Sequence, residues 1–234
     1  MYLLLSGLSV IPWSFALLYL FPVKDAKKIT VIIVFSLLAG HLTTEILFWL
    51  HPILWPETAN VKKYSHILTQ TIHVAFIQAG MLEETFKIAF IMIISLLFSR
   101  QDGRWNKEVV LAGGFVALGF SLTENSVYFS KAEESKQLFL SFIGRTVHSV
   151  NIHLLINLCF SLFLLKSNES ENRVMLLLFA FFLAVMQHGI VDFFLIPSSK
   201  IGNIMAAAMF CGIWVWVVKD FRIYVLDHSR ETVR

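Results

Sequence analysis

The stretch Met81-Leu82-Glu83-Glu84-Thr85-Phe86-Lys87 places two carboxylates and a lysine within a strongly apolar part of the chain. On both sides the sequence is apolar enough to lie in a lipid bilayer. A charged side chain at the bilayer centre costs about 2.5–3.5 kcal/mol on insertion scales. Three such residues so close together indicate a polar cavity or a functional site inside a membrane.

The composition is that of a polytopic membrane protein. Hydrophobic residues make up 57% of the chain and charged residues 15%, whereas an average soluble domain is about 45–50% apolar and about 25% charged. No basic cluster alternates with exposed aromatic residues, so nucleic-acid binding has no support. Cys159 and Cys211 fall in apolar runs and are expected to be packing residues without a disulfide framework.

Seven apolar stretches are long enough to cross a membrane, since a spanning helix needs about 20 residues. We therefore predict an all-α fold, a polytopic transmembrane helix bundle of about seven spans in a single domain, residues 1–234. Prolines end the first two spans, Pro22 after the first and Pro52 and Pro56 after the second. The predicted spans cover residues 1–21, 29–50, 67–98, 109–129, 138–165, 174–196 and 201–218.

The third stretch is too long for a straight span, because 32 residues rise about 48 Å at 1.5 Å each. Its first half is polar in places, its second half is nearly all apolar after Lys87, and Ala79-Gly80 is the natural break between them. Two interpretations are open. The first half is a broken or re-entrant segment that leads to the carboxylates, or a single tilted helix projects from the bilayer.

Loop charges predict the orientation, because cytoplasmic loops are enriched in Lys and Arg. Loops on the side of the first connection hold twelve of these residues and loops on the other side hold five. The N-terminus is therefore expected outside and the C-terminus in the cytoplasm. With this orientation five spans bring ionisable residues to the outer half of the membrane, which predicts a common cavity.

Spacing along the third span suggests how its charges pair. Glu83 and Lys87 are four residues apart, so they share a helix face. Glu84 lies about 100° further round the helix. One glutamate can be held by the lysine while the other faces water or substrate. The structural alternative is a buried ion pair with one protonated partner.

Later spans repeat the combination of acid and base. His148 follows Arg145 by three residues, and Asp192 follows His188 by four, where a carboxylate can fix the tautomer of the ring. The structural alternatives are a core histidine and an arginine that reaches the membrane surface. Glu124 beside Asn125 is a weaker signal, which a helix-packing hydrogen bond also explains. Small residues ahead of them let helices approach closely and predict that this fourth span is central: Ala112, Gly113, Gly114, Ala117 and Gly119.

The second span carries His41 and Glu45 at the same spacing, without other support in that span, and His73 and His153 are taken as structural or interfacial. Across the predicted layer, five carboxylates face only two fixed cations, Lys87 and Arg145. Such an excess of negative charge is unstable in a low dielectric, so shared protons, charged histidines or a divalent cation are expected. The five are Glu45, Glu83, Glu84, Glu124 and Asp192.

In order, these motifs resemble those of the PrsW-type intramembrane proteases, distant relatives of the CAAX-processing and bacteriocin-immunity membrane protease superfamily. The resemblance covers residues 81–192, within a motif-bearing core of about residues 64–196. The matching residues are Glu83, Glu84 and Lys87 in Glu-Glu-x-x-Lys, Phe120, Glu124 and Asn125 in Phe-x-x-x-Glu-Asn, the pair Arg145 and His148, and His188 and Asp192 in His-x-x-x-Asp.

The resemblance implies hydrolysis of peptide bonds of membrane-anchored protein substrates near the extracytoplasmic side of a bacterial inner (cell) membrane. Some family members cleave membrane-anchored anti-sigma factors, ahead of a second cleavage by another protease. The expected partners are a membrane-anchored protein or peptide substrate and the lipid bilayer. Which substrate this chain cleaves cannot be carried over from the family.

For the hydrolysis, Glu83 or Glu84 is the candidate general base. Glu84 is preferred because Lys87 is expected to pair better with Glu83. His188, held by Asp192, would orient the water or protonate the leaving amine. The candidates for oxyanion contacts are His148, Asn125 and Arg145, while Glu124 would shape the hydrogen-bond network.

A glutamate mechanism requires no cofactor, but a divalent metal such as zinc is an open alternative. His148, His188 and one glutamate would then be the three protein ligands of a catalytic site. The rival functional class is a proton-coupled transporter or proton pathway, since Glu, His and Lys also form proton relays in membranes. The protease is preferred because the inner half of the predicted spans is almost purely apolar, whereas a conduit needs polar residues on both sides.

Overall fold

The computed structural model describes residues 1–21, 25–55, 67–197 and 199–227, which form a helical bundle. The all-α prediction is confirmed, since the strands in these residues are a two-residue hairpin, β1 (Arg100–Gln101) and β2 (Arg104–Trp105). The helices are α1 (Tyr2–Leu20), α2 (Ala26–Leu54), α3 (residues 67–98), α4 (Val109–Ser130), α5 (Ser135–Lys166), α6 (Arg173–Leu195) and α7 (Lys200–Phe221, continued as a π-helix over Arg222–Asp227).

Within the described residues, six helices are long and apolar enough to cross a membrane: α1, α2, α4, α5, α6 and α7. Their bounds agree with the predicted spans to within a few residues, except that α2 continues to Leu54 with Pro52 inside its last turn. Pro22 and Pro56 lie outside the described residues, as do five of the loop cations behind the predicted orientation. These cations are Lys24, Lys62, Lys63, Arg230 and Arg234.

The third predicted span, α3, is helical throughout and does not break at Ala79-Gly80. It begins as an α-helix at Ile67–Ile72, widens to a π-helix at His73–Glu83 and returns to an α-helix at Glu84–Phe98. Gly80 is a contact point with α6, because a Cβ at this position would lie 2.8 Å from the Val185 carbonyl oxygen. The glycine thus serves close helix packing, and the change of helix type occurs at the two glutamates.

The centre of the bundle is formed by α4 and α5, as the small residues of α4 predict. Every residue from Val109 to Ser121 in α4 and from Val150 to Leu165 in α5 is buried. Glycines let the backbones meet: a Cβ on Gly119 would clash with the backbone of Leu37 in α2, and one on Gly113 would come 2.8 Å from the Asn157 carbonyl oxygen in α5. Close approach of this kind stabilises helix pairs in lipid, where apolar burial gives no preference for protein over solvent.

A second π-helical segment, Arg145–Ser149, interrupts α5 at the depth of the predicted site. Its backbone is held by α1, since Trp13 donates its Nε1–H to the Thr146 carbonyl oxygen at 2.7 Å. At the other end of α5, Lys166 Nζ lies 2.9 Å from Asp220 Oδ2 of α7. The central helix is therefore fixed to its neighbours at the π segment and at its C-terminal end.

Candidate active site

Five helices, α2 to α6, bring ionisable side chains to one cavity of about 1040 Å³, and α2 contributes His51. The ionisable residues that α3, α4, α5 and α6 contribute to its wall are Glu83, Glu124, Arg145, His148, His153, His188 and Asp192. The prediction that α2 contributes His41 and Glu45 is wrong, because both are exposed and neither lines the cavity, whereas His51 of the same helix does. The negative charge of Glu45 is therefore not part of the cluster.

The buried part of the cluster joins Glu84, Lys87 and His188. Glu84 Oε1 lies 2.6 Å from Lys87 Nζ and 2.7 Å from His188 Nδ1, and the side chains of Glu84 and Lys87 are fully buried. Lys87 Nζ also stands 4.3 Å from the centre of the Phe120 ring. A carboxylate on Nδ1 fixes the proton at that nitrogen and leaves Nε2 of His188 directed to the cavity.

Glu83 faces the cavity, and its side chain is 18% exposed where that of Glu84 is 0% exposed. Its Oε2 lies 3.4 Å from Lys87 Nζ and 3.9 Å from His188 Nε2. The expectation that Lys87 pairs better with Glu83 is therefore wrong, because the lysine is closer to Glu84. Glu84 was preferred as the base only because Lys87 was expected to hold Glu83, so this reason no longer applies.

Asp192 and Glu83 flank the same nitrogen of His188. Asp192 Oδ2 lies 3.5 Å from His188 Nε2, so the predicted pair is in contact, but the closer carboxylate on the ring is Glu84. The side chain of Asp192 is 31% exposed and that of Glu83 is 18% exposed. The tautomer of His188 is thus set by a residue of α3, and Asp192 borders the space in front of the ring.

A second polar group extends from Arg145. Its guanidinium donates to the Glu124 carboxylate and to Oδ1 of Asn125, and it lies 3.7 Å from the centre of the Tyr128 ring. Asn125 in turn donates from Nδ2 to Ser9 Oγ of α1 at 2.8 Å. Both ends of the Asn125 amide are occupied, so this residue positions Arg145 and does not reach the cavity.

His153, which was expected to be structural or interfacial, connects the two groups. Its Nδ1 lies 3.3 Å from Lys87 Nζ and its Nε2 lies 3.4 Å from Glu124 Oε2. The His153 and His188 rings meet edge to face with centroids 5.0 Å apart. Spacing could not identify it, because the π segment before it changes the helix face on which residue 153 lies.

His148 lies at the rim, five residues before His153. It is exposed, and its ring stands 6.1 Å from that of Phe210 in α7. No hydrogen bond or ion pair joins it to another residue in the described parts of the chain. His73 also lies away from the cluster, where Gln78 links it to His51 at distances of 3.3 and 3.1 Å.

One group of side chains has the chemistry of a metal site. Ligand atoms of Glu83, His153 and His188 all lie within 4.8 Å of one another. His153 thus takes the place predicted for His148. Two imidazoles and one carboxylate are a donor set of catalytic zinc, and the Nδ1 bond of His188 to Glu84 leaves the other nitrogen available as a ligand. The residues present therefore fit a divalent ion, with His153 exchanging one of its two contacts for it.

Comparisons with known proteins agree with the motifs. A family model described as PrsW family intramembrane metalloprotease matches residues 28–218, which include every cluster residue from α3 to α6. The comparisons with curated proteins and with solved structures gave no significant match. The matched range covers most of the chain, so this protein belongs to the PrsW family of intramembrane metalloproteases.

Proposed function

We propose that this intramembrane protease hydrolyses peptide bonds of membrane-anchored protein substrates in the cavity, with Glu83 as the general base. The observation that carries the proposal is the contrast between the two glutamates. Glu83 lines the cavity, whereas Glu84 is sealed behind it against Lys87 and His188. A general base must come within hydrogen-bond reach of the water that it deprotonates, and of these two glutamates it is Glu83 that has this access.

The reaction follows from the groups around Glu83. A water between Glu83 and His188 gives one proton to Glu83 Oε2 while its oxygen attacks the carbonyl carbon. His188 Nε2 accepts the hydrogen bond from the second water proton and so orients the attack. Glu83 then gives its proton to the amide nitrogen as the carbon–nitrogen bond breaks, which returns the carboxylate to its starting state.

The neighbouring residues position these groups and supply positive charge. Glu84 holds the ring of His188, and Lys87 holds both glutamates. Negative charge develops on the substrate carbonyl oxygen during the attack, and fixed cations nearby stabilise it. Lys87 and Arg145 are the cations of the cluster, and Arg145 is held in place by Glu124 and Asn125.

A divalent ion would be held by Glu83, His153 and His188. When bound, it would lower the pKa of a water and polarise the substrate carbonyl, which is the usual contribution of zinc in hydrolases. Glu84 and Lys87 would keep their positioning roles, because both lie behind the ligand atoms and outside the cavity wall.

The location of the cut and the substrate class are part of the proposal. With the N-terminus outside, as the loop charges predict, the cavity lies in the extracytoplasmic half of a bacterial inner membrane. A site-1-type cleavage of a membrane-anchored anti-sigma factor fits this location and the family resemblance. The whole chain acts as one membrane protease domain.

Cleavage of a membrane-tethered reporter by the purified full chain in proteoliposomes tests the proposal. Glu83→Gln should lower the cleavage rate by about 10²–10⁴-fold, the usual effect of losing a general base. Glu133→Gln is the matched control, since this glutamate is exposed after α4 and outside the cavity, and it should keep the parental rate. Thermal unfolding checks that both variants fold.

One result would reject the general base, and a second experiment separates the metal-dependent form from the metal-free form. A folded Glu83→Gln variant that cleaves at the parental rate would reject the general base. In a separate arm the parental enzyme is treated with a chelator: loss of cleavage that zinc restores would establish the metal-dependent form, while unchanged cleavage would establish the metal-free form.

A further inference from the structure

The outward face of α2 carries a stripe of exposed residues that the proposed protease mechanism does not use. Its members alternate three and four residues apart, the spacing of a helix seam that packs along one other helix. Most of it lies away from the α2 face that packs on α4, where a Cβ on Gly40 would clash with the Val116 carbonyl oxygen, and His41 stands at its edge, next to α4. The α2 stripe consists of Val31, Val34, Leu38, His41 and Glu45.

Two members of the α2 stripe are polar although they lie well inside a span. At 1.5 Å per residue, Glu45 is about 8 Å from the midpoint of α2, so it and His41 lie at the depth of the hydrocarbon core. His41 Nδ1 contacts Thr123 Oγ1 at 3.0 Å. Among the described residues, nothing bonds the Glu45 carboxylate or the Nε2 of His41, and these two residues form no ion pair with each other.

We propose that a second copy of this chain covers the α2 stripe, making the protein a homodimer with a twofold axis along the membrane normal. Copies of a membrane protein insert in one orientation, so their α2 helices run parallel with equal residues at equal depth. In a parallel seam each residue contacts the partner positions one turn away. His41 of one copy therefore faces Glu45 of the partner subunit, and the contact occurs twice.

Charge complementarity favours a second copy over other occupants. A twofold interface requires a patch that is complementary to itself, and a donor and an acceptor one turn apart on the same stripe meet this requirement. Leu38 and Val34 add exposed apolar surface on the same seam, at 58% and 47% exposure. A substrate helix would have to carry its own matching acid and base at the same depth, which makes it the competing occupant that the experiment must separate.

Disulfide cross-linking in native membranes tests the interface. The full chain carries Leu38→Cys in a Cys211→Ser background, because Cys211 is exposed and Cys159 is buried. Val215→Cys on α7 is the matched control, since this residue also faces outward, at 71% exposure, but on another helix. Leu38→Cys should give a disulfide-linked dimer on oxidation, and Val215→Cys should not.

Energy transfer between labelled copies in liposomes, measured as lipid is added, tests the polar contact. Glu45→Leu and His41→Leu should each raise the dissociation constant about tenfold, because each removes both His–Glu contacts. The exchange variant that combines His41→Glu with Glu45→His keeps the complementarity and should restore association. Thermal unfolding confirms that each variant is folded.

Three outcomes measured on the protein alone would overturn the proposal. These are equal cross-linking at residues 38 and 215, folded leucine variants that associate like the parent, and a folded exchange variant that stays monomeric. Cross-linking of Leu38→Cys to a cysteine-bearing reporter helix, without any linked dimer, would also overturn it and would assign the α2 stripe to substrate.

Discussion

Lys87→Met removes a buried cation on which both glutamates of the site depend. Its Nζ lies 2.6 Å from Glu84 and 3.4 Å from Glu83, and neither the lysine nor Glu84 is exposed. Removing one partner of a buried ion pair costs about 3–5 kcal/mol, because the other charge is left uncompensated. We therefore expect this substitution to lower the free energy of unfolding by about 3–5 kcal/mol, with Met preserving most of the packing on Phe120.

A double-mutant cycle separates the effect of the uncompensated Glu84 carboxylate from the effect of lost packing. In the Lys87→Met background, Glu84→Gln removes the uncompensated carboxylate, so part of the stability should return, with a coupling of about 0.5–3 kcal/mol. The free energy is measured by equilibrium unfolding in lipid bicelles. Lys219→Met, an exposed lysine in the last turn of α7, is the control and should change stability by less than about 0.5 kcal/mol. A double variant as unstable as the sum of the single variants would refute the reasoning.

Three further substitutions test the packing and the site. Gly80→Ala should destabilise the protein by about 1–3 kcal/mol, since its Cβ meets the backbone of α6, whereas Gly7→Ala has open space and should change stability by less than about 0.5 kcal/mol in the same unfolding assay. In the reporter assay, His153→Gln should lower cleavage by about 10–100-fold, because His153 joins Lys87 to Glu124 beside the reacting groups, and His148→Gln by less than about tenfold. Arg145→Lys should lower cleavage about tenfold, because lysine cannot reproduce the two contacts of the guanidinium. Equal effects of the two glycines, equal effects of the two histidines, or parental activity of the lysine variant would each contradict the corresponding argument.

The spans and the motif-bearing helices could be predicted from the sequence, because crossing a bilayer demands about 20 apolar residues and makes each charged exception conspicuous. For the same reason Glu83, Glu84 and His188 could be expected to meet, and both carboxylates do lie within 4 Å of that imidazole. The central position of α4 followed from its glycines, which have no other use in a helix interior.

The finer geometry depends on features without a sequence pattern. Lys87 follows Glu84 by three residues and Glu83 by four, and both spacings allow an ion pair on a helix. Sequence spacing therefore could not show that Lys87 lies closer to Glu84, with which it is fully buried. The π segments of α3 and α5 change the side of the helix on which Glu83 and His153 lie. A π turn cannot be predicted from the spacing of residues in the sequence. His41 and Glu45 were instead predicted for the site but do not line the cavity. Their depth in the membrane could be inferred from the sequence, but the side of the helix that faces inward could not.

Rescue of Glu83→Ala by formate tests the central claim most directly. If Glu83 is the carboxylate that acts in the cavity, a small carboxylate from solution can take its place, and formate should raise the residual cleavage rate of Glu83→Ala at least about tenfold. Glu84→Ala should gain nothing, because Glu84 is fully buried behind the cavity wall. Failure of formate to restore cleavage in Glu83→Ala, or rescue of Glu84→Ala instead, would contradict the account.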